Sequence, residues 1–401
     1  MYRFPTSSRS HVIPLAVALA MGLAALAAWT SSLQALPLFG RKYSMQCTSC
    51  HLAAPRLNMF GMTFKQNGYR MPGAHGESPW DSTGNREFPL ALVGNVAYHL
   101  QSTNTEVAPG TKLRTNFSSF EQEQVEFHSA GTLADRVTFH FDNNFAGRGG
   151  LLSSGMAFAQ LDDIMKNGAL NVKAGIFDGD IPYLADSRKT TLAGYLSPVT
   201  LDAAGIEFNG AQSDWMYALG LINSNRDSAN ASVAKPGQKT FNQLENTYVW
   251  VARQMGPNMV TARVYFDRQD PRALGKSSSL HTQGELSAYL DRGRLILIPG
   301  YTYESFADLP VGTPDKQHTG LLEAMWLLDK ETHWVLTARY EHQYAGKSNG
   351  ATGVADRGQA VLNLAYYVNP NARFGIDWAH LSDNVGSPTQ DDLRAFVWVG
   401  Y

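Results

Sequence analysis

The chain has 401 residues, 33 basic and 35 acidic, with a formal charge of −2. That balance excludes the basic excess of a nucleic-acid binder and any acidic tail. Length alone allows two or three soluble domains or one large barrel. The composition narrows this: 36 glycines, 17 tyrosines, 19 phenylalanines and 8 tryptophans stand against 17% charged residues. Such usage belongs to all-β chains and to membrane barrels.

Residues 1–35 read as a signal peptide. Arg3 and Arg9 make a positive start, Val12 to Trp29 is an apolar or small-residue run with one proline, and SSLQA ends at Ala35 on small residues suited to cleavage. A retained membrane anchor competes, since the run is near the lower limit for spanning. No later segment is apolar for long enough to cross a bilayer as a helix. The expectation is export.

Both cysteines of the chain fall in Cys47-Thr48-Ser49-Cys50-His51. This is the attachment pattern of c-type haem. Two thiols at that spacing add to the two porphyrin vinyl groups, and the adjacent imidazole becomes the proximal axial ligand. A zinc site would need two further ligands at a suitable spacing, and none stands out. A redox dithiol would want a βαβ context, which is absent. The expected cofactor is one covalent haem c.

Pro55 opens a helical pattern in which Leu57, Phe60, Gly61 and Phe64 share a face, and Asn67-Gly68 closes it. The expectation is that this apolar face covers the porphyrin and that the Gly61 notch lets the backbone approach. Four methionines are near enough to be the distal ligand. Met45 is too close to the motif, while Met59 and Met62 lie on the helix. Met71, in a loop beyond it, is favoured because methionine is a common partner of histidine in cytochromes c, and His75 is its main competitor.

From about Phe88 the pattern alternates. Val137, Phe139 and Phe141 oppose Arg136, Thr138, His140 and Asp142; Trp334, Leu336, Ala338 and Tyr340 oppose Val335, Thr337, Arg339 and Glu341; Arg373 to Trp378 repeats it. Charges recurring mid-strand opposite aromatic faces predict a barrel with lipid outside and a wet lumen inside, of about sixteen antiparallel strands. Short turns are predicted at Gly131–Asp135, Met165–Leu170, Asn209–Asp214, Gln254–Asn258, Leu290–Arg294, Leu328–His333 and Val368–Ala372. Longer loops alternate with them, near 103–117, 146–154, 179–201, 224–244, 269–277, 305–316, 344–356 and 382–390. That asymmetry is the outer-membrane pattern. Leu393, Ala395, Val397, Val399 and Tyr401 alternate to an aromatic last residue, as many such barrels end. Pro299 lacks a ladder donor and predicts a bulge or an early strand end. Asp178, Asp180 and Asp186 read first as a solvated loop, and second as a carboxylate site for cations. No phosphate loop, nucleophile elbow or other catalytic constellation is evident, so catalytic residues stay unassigned.

A one-haem segment followed directly by a porin-sized barrel resembles the fused monohaem cytochrome c–porins, the outer-membrane iron(II) oxidases of iron-oxidising bacteria. The match runs from Cys47-Thr-Ser-Cys-His51 through Ala54-Pro55, Leu57-Asn58, Phe60-Gly61 and Phe64-Lys65 to Asn67-Gly68-Tyr69. Beyond it the likeness lies in size, strand count and order. The resemblance implies haem c, an outer-membrane location, and electron transfer from extracellular iron(II) to a periplasmic soluble cytochrome or other carrier, an oxidoreductase role. The resulting division is a signal peptide at 1–35, a helical monohaem domain at 36–85 plugging the lumen or its periplasmic mouth, and a barrel at 86–401. Two rivals remain: a diffusion porin with a haem plug or sensor, and the same conduit run outward to an external acceptor.

Overall fold

The computed structural model describes residues 38–71, 90–108, 111–147, 153–185, 188–196, 202–223, 246–269, 279–306, 316–345, 356–369, 371–383 and 389–400. The expected signal peptide, His75 and Tyr401 lie outside the described residues.

The described chain begins with a short helix α1 (Leu38–Tyr43), a single 3-10 turn (Cys47–Ser49), a minimal ribbon of β1 (His51–Ala53) and β2 (Arg56–Leu57), and helix α2 (Met59–Gln66). Sixteen strands follow, from β3 (Leu90–Ala108) to β18 (Thr389–Gly400), all antiparallel to their neighbours. β18 pairs with β3, Leu393 opposite Leu100, and closes the barrel. Closure leaves no open edge, the condition for crossing lipid with strands. No helix among the described residues is long and apolar enough to do so.

The wall is inside-out relative to a soluble β-protein. On β15 (Trp334–Ala345) Val335, Thr337, Arg339 and Glu341 are buried while Trp334, Ala338 and Tyr340 face outward. On β5 (Val137–Gly147) Thr138, His140 and Asp142 are buried and Phe141 is exposed. Buried charge inside and exposed Leu, Val, Phe, Trp and Tyr outside make a lipid-facing band around a polar lumen. All seven predicted short turns contain a connection between strands, although the strands Thr111–Ala134 and Asp202–Gln212 run three residues past the predicted starts at Gly131 and Asn209.

Three expectations about element boundaries fail. The region 103–117 is strand: β3 and β4 (Thr111–Ala134) stay paired from Thr103↔Thr115 to Ala108↔Thr111. Among the described residues the β18 and β5 ladders stop earlier, at Asn104 and Gln124, and this hairpin projects beyond them. Its polar stretches read as loop because they meet water on both faces. Pro299 produces neither a bulge nor an end. β13 (Leu295–Phe306) runs through it in register with β14 (Lys316–Leu327), and only the ladder to β12 (Ser279–Asp291) skips Ala288 and Tyr289 opposite it, without a shift. The helix after the haem-type motif starts at Met59, not Pro55, which sits in the turn between β1 and β2.

The connection after β7 (Leu170–Asp178), predicted as a long loop, folds inward. Ile181, Tyr183, Leu184 and Ala185 are sealed. Tyr183 Oη meets Ser287 Oγ at 3.1 Å, Thr190 Oγ1 meets Thr337 Oγ1 at 2.8 Å, and Leu196 N–H donates to Glu341 at 2.8 Å. The loop thus lies across the lumen against β12, β15 and, through Leu192 N–H to Asp377, β17 (Ala372–Asp383). Two of the three aspartates are then neither solvated nor a cation site: Asp178 bonds Lys65 and Arg188 at 2.7 Å each and Asp180 lies 4.0 Å from Arg263; Asp186 lies outside the described residues.

Candidate site in the barrel lumen

The segment 38–71 sits inside the barrel at the rim carrying the short turns. Asn371, in the turn between β16 (Asp356–Asn369) and β17, accepts from Cys47 Sγ at 3.6 Å. Tyr367 Oη donates to Ala54 O at 2.8 Å. On the opposite wall, Arg70 bonds Asp163 at 2.9 Å, and Gln66 Nε2 reaches Tyr217 O at 3.5 Å. The segment therefore bridges the lumen from β16–β17 to β6 (Ser153–Met165) and β9 (Trp215–Ile222).

Locally the motif is held by Asn58. As the N-cap of α2 its Oδ1 accepts from Gly61 N at 2.9 Å, the usual role of asparagine there. Its Nδ2 donates to Thr48 O at 3.2 Å and Ser49 O at 2.9 Å, and its own N–H donates to Cys50 O at 2.9 Å. One residue thus ties the helix start to the cysteine turn. Reading the helix from Pro55 hid the cap at Asn58, and its second role, across nine or ten residues, has no local signal. Gly61 is needed here, because a Cβ would lie 2.2 Å from the Cys50 carbonyl oxygen. The notch accommodates that carbonyl rather than a porphyrin. Gly68, at φ +68°, ends the helix as expected, with Tyr69 N–H donating to Phe64 O at 2.9 Å.

Cys47 and Cys50 are unpaired thiols, both partly exposed. Burial pushes both pKa values up. His51 Nδ1 lies 3.3 Å from Pro55 O. A carbonyl only accepts, so Nδ1 carries the proton and Nε2 keeps its lone pair; burial depresses the imidazole pKa and favours this neutral form. A backbone carbonyl on the far nitrogen is how ligating histidines are usually oriented. The donor set therefore fits a covalently held haem: two free thiols at the right spacing and an imidazole in ligand form. Met71 is half-buried at the edge of the apolar cluster formed by Phe64, Tyr69 and Phe39, and Met62 is buried within it.

Charge fixes the segment in depth. Arg56 is fully buried; it donates to Tyr183 O of the inward loop and to Glu323 of β14. Burial opposes the Arg56 charge, but Glu323 and Tyr195 outweigh it and raise the pKa. Lys65, whose pKa burial and Arg188 lower, bonds Asp178 at 2.7 Å. Beyond the inward loop a cavity of about 330 Å³ remains, lined by Gly194, Gln359, Gln390, Asp392 and Arg394.

No family model matches the chain, and no curated protein matches it in sequence. Solved structures do match in shape. OmpF of Salmonella typhi, in complex with daunomycin, superposes with a TM-score of 0.56 at 13% identity over 78% of this chain and 97% of that one. The anion-selective porin from Comamonas acidovorans gives 0.54 at 12% over 78% and 99%. OprB of Pseudomonas putida gives 0.53 at 11% over 81% and 99%. The fold is that of an outer-membrane porin. The porin-type barrel, its lipid-facing band and its outer-membrane setting agree. At such identities the likeness extends to the fold and no further.

Proposed function

We propose that the chain is an outer-membrane electron conduit that carries one covalent haem c on Cys47 and Cys50, with His51 Nε2 as axial ligand, and takes electrons from extracellular iron(II). One observation carries the reading: a complete haem-attachment motif is presented inside a transmembrane barrel, with both thiols free and the imidazole oriented. When bound, the haem supplies one-electron chemistry. The chain's residues do the rest. Asn58 and Gly61 fix the cysteine turn, Pro55 O sets the His51 tautomer, and Arg56 and Lys65 lock the segment to the wall. Met71 is the proposed distal ligand, with His75 its alternative. The donor and the periplasmic carrier follow from the resemblance of the motif region to the monohaem cytochrome–porins.

The comparisons favour a second reading. Porin-type shape and the cavity beside the inward loop suit a diffusion channel in which the segment is a plug or sensor. Purified protein separates the two. The conduit reading expects a haem-staining band on denaturing gels, reduction of that haem on stopped-flow mixing with iron(II), and little ion conductance in planar bilayers. A colourless band with open-pore conductance would establish the channel, while a haem oxidised only by external acceptors would reverse the direction of flow.

A further inference from the structure

We infer that the lumenal wall holds a divalent transition-metal site formed by His128, His140 and Asp142. Their ligand atoms lie within 4.8 Å of one another. The site follows from strand geometry: His128 on β4 is directly opposite Asp142 on β5, and His140 precedes Asp142 by two residues on the same face. Asp142 Oδ2 lies 2.9 Å from His140 Nε2 and 3.9 Å from His128 Nδ1. Ligands about 2.0–2.2 Å from one ion stand at such separations from each other.

The remaining atoms of all three residues are already occupied, each in the manner a metal site requires. His140 Nδ1 faces Tyr69 Oη at 2.9 Å, leaving Nε2 toward the centre. His128 Nε2 faces Glu126 Oε2 at 3.0 Å, leaving Nδ1 toward the centre. Carboxylate or other oxygen partners on the outer nitrogen orient ligating histidines and raise their basicity. Asp142 Oδ1 accepts from Met156 N at 2.5 Å, so Oδ2 is the oxygen offered. The His140 ring is further fixed by stacking on Phe158, with centroids 5.5 Å apart and planes 8° apart. His140 and Asp142 are buried and His128 half-buried, so the open coordination positions face the lumen through His128. Two imidazoles and one carboxylate with open positions suit iron(II), cobalt(II), manganese(II) or zinc. Tyr69 belongs to the segment carrying the cysteines, so the site touches that segment through one hydrogen bond. That the ion bound there is the iron(II) donor rests on the proposed function; the existence of the site does not.

The test uses the full-length barrel in detergent, dialysed against chelator, titrated with cobalt(II) chloride and read by visible absorption and by equilibrium dialysis. Wild type should bind one cobalt per barrel. Asp142→Asn and His140→Ala should each weaken binding by at least about tenfold, and Glu126→Gln by roughly tenfold through its partner histidine. Retention of the heat-modifiable gel shift of a folded barrel shows that a variant has not simply unfolded, and Glu126, half-buried, keeps the test available if the buried variants do unfold. Absence of cobalt binding at millimolar metal, or wild-type binding by folded Asp142→Asn or Glu126→Gln, overturns the site. Haem staining and iron(II) reduction are read separately: a barrel that binds cobalt but lacks haem removes the conduit reading and leaves the metal site standing.

Discussion

Arg56 of the N-terminal segment and Glu323 of β14 form an ion pair with both side chains sealed from solvent, although 267 residues separate them. Such a pair holds because each charge has other partners: Tyr183 O and Tyr195 for Arg56, Tyr195 and Arg339 for Glu323. Removing one partner leaves the other buried and uncompensated, which costs about 3–5 kcal/mol. Glu323→Ala should therefore release the segment from its depth in the lumen. The expected result is a lower unfolding midpoint and raised conductance in planar bilayers; unchanged conductance would mean that the segment is held without the pair.

Covalent haem attachment is checked directly. Cys47→Ala should weaken or abolish the haem-staining band near the mature mass in cells with working cytochrome maturation. Gly61→Ala should lower haem-loaded yield as well, because its methyl group would lie 2.2 Å from the Cys50 carbonyl oxygen and push the cysteine turn off the helix. Normal loading of that variant would show that the turn tolerates displacement.

Met71→His should lower the haem potential, since methionine ligation raises it relative to histidine. Iron(II) should then reduce the variant more slowly or less completely. An unchanged spectrum and potential would transfer the distal role to His75.

Orientation is tested by labelling. Lys112, exposed on the projecting β3–β4 hairpin, and Glu331, exposed in the turn between β14 and β15, stand at opposite rims. An impermeant thiol reagent on whole cells should mark Lys112→Cys and leave Glu331→Cys unmarked. The reverse pattern would turn the barrel over and place the cysteine motif at the outer surface.

Tyr69 predicts an alkaline limit. Burial and the charge of Asp178 raise its pKa well above the ordinary phenol value. The folded state keeps the proton where the unfolded chain, titrating near 10, has lost it. The stability from this group is complete below about pH 10 and is lost as pH rises beyond it. Tyr69→Phe should flatten the fall of the thermal midpoint above about pH 10; equal slopes in both proteins would show that other groups set the limit.

Most of the wall was legible because a barrel strand repeats every two residues and its turns are short. Arg339 and Glu341 opposite Trp334 and Tyr340 already told inside from outside. The inward loop was not legible, since Asp178 finds Lys65 across 113 residues and nothing local to either records the pairing. The β3–β4 hairpin was missed for a different reason: Thr111-Lys112-Leu113-Arg114 has the polarity of a loop because that part of the strand leaves the membrane. Within the site, Cys47, Cys50 and His51 were named by spacing alone. Asn58 as a clamp, and Gly61 as a seat for the Cys50 carbonyl, depend on a fold-back that spacing does not encode. The grouping of His128 with His140 and Asp142 needed strand register, since scattered histidines look alike in a sequence.

The place of Cys47 beside Asn371 sets a distance. Strands such as β15 and β17 run for 12 residues, about 40 Å of extended chain, and at a tilt of about 40° they span roughly 30 Å of membrane thickness. Whatever is bonded to these thiols lies that far from the rim carrying the long loops, behind a constriction made by the inward loop. If the proposed conduit operates, donors too large to enter, such as mineral grains or colloids, would be held a membrane's thickness away, whereas dissolved ions would have a shorter approach. On the conduit reading the barrel would act as a size filter, keeping solids from the motif before any chemistry begins.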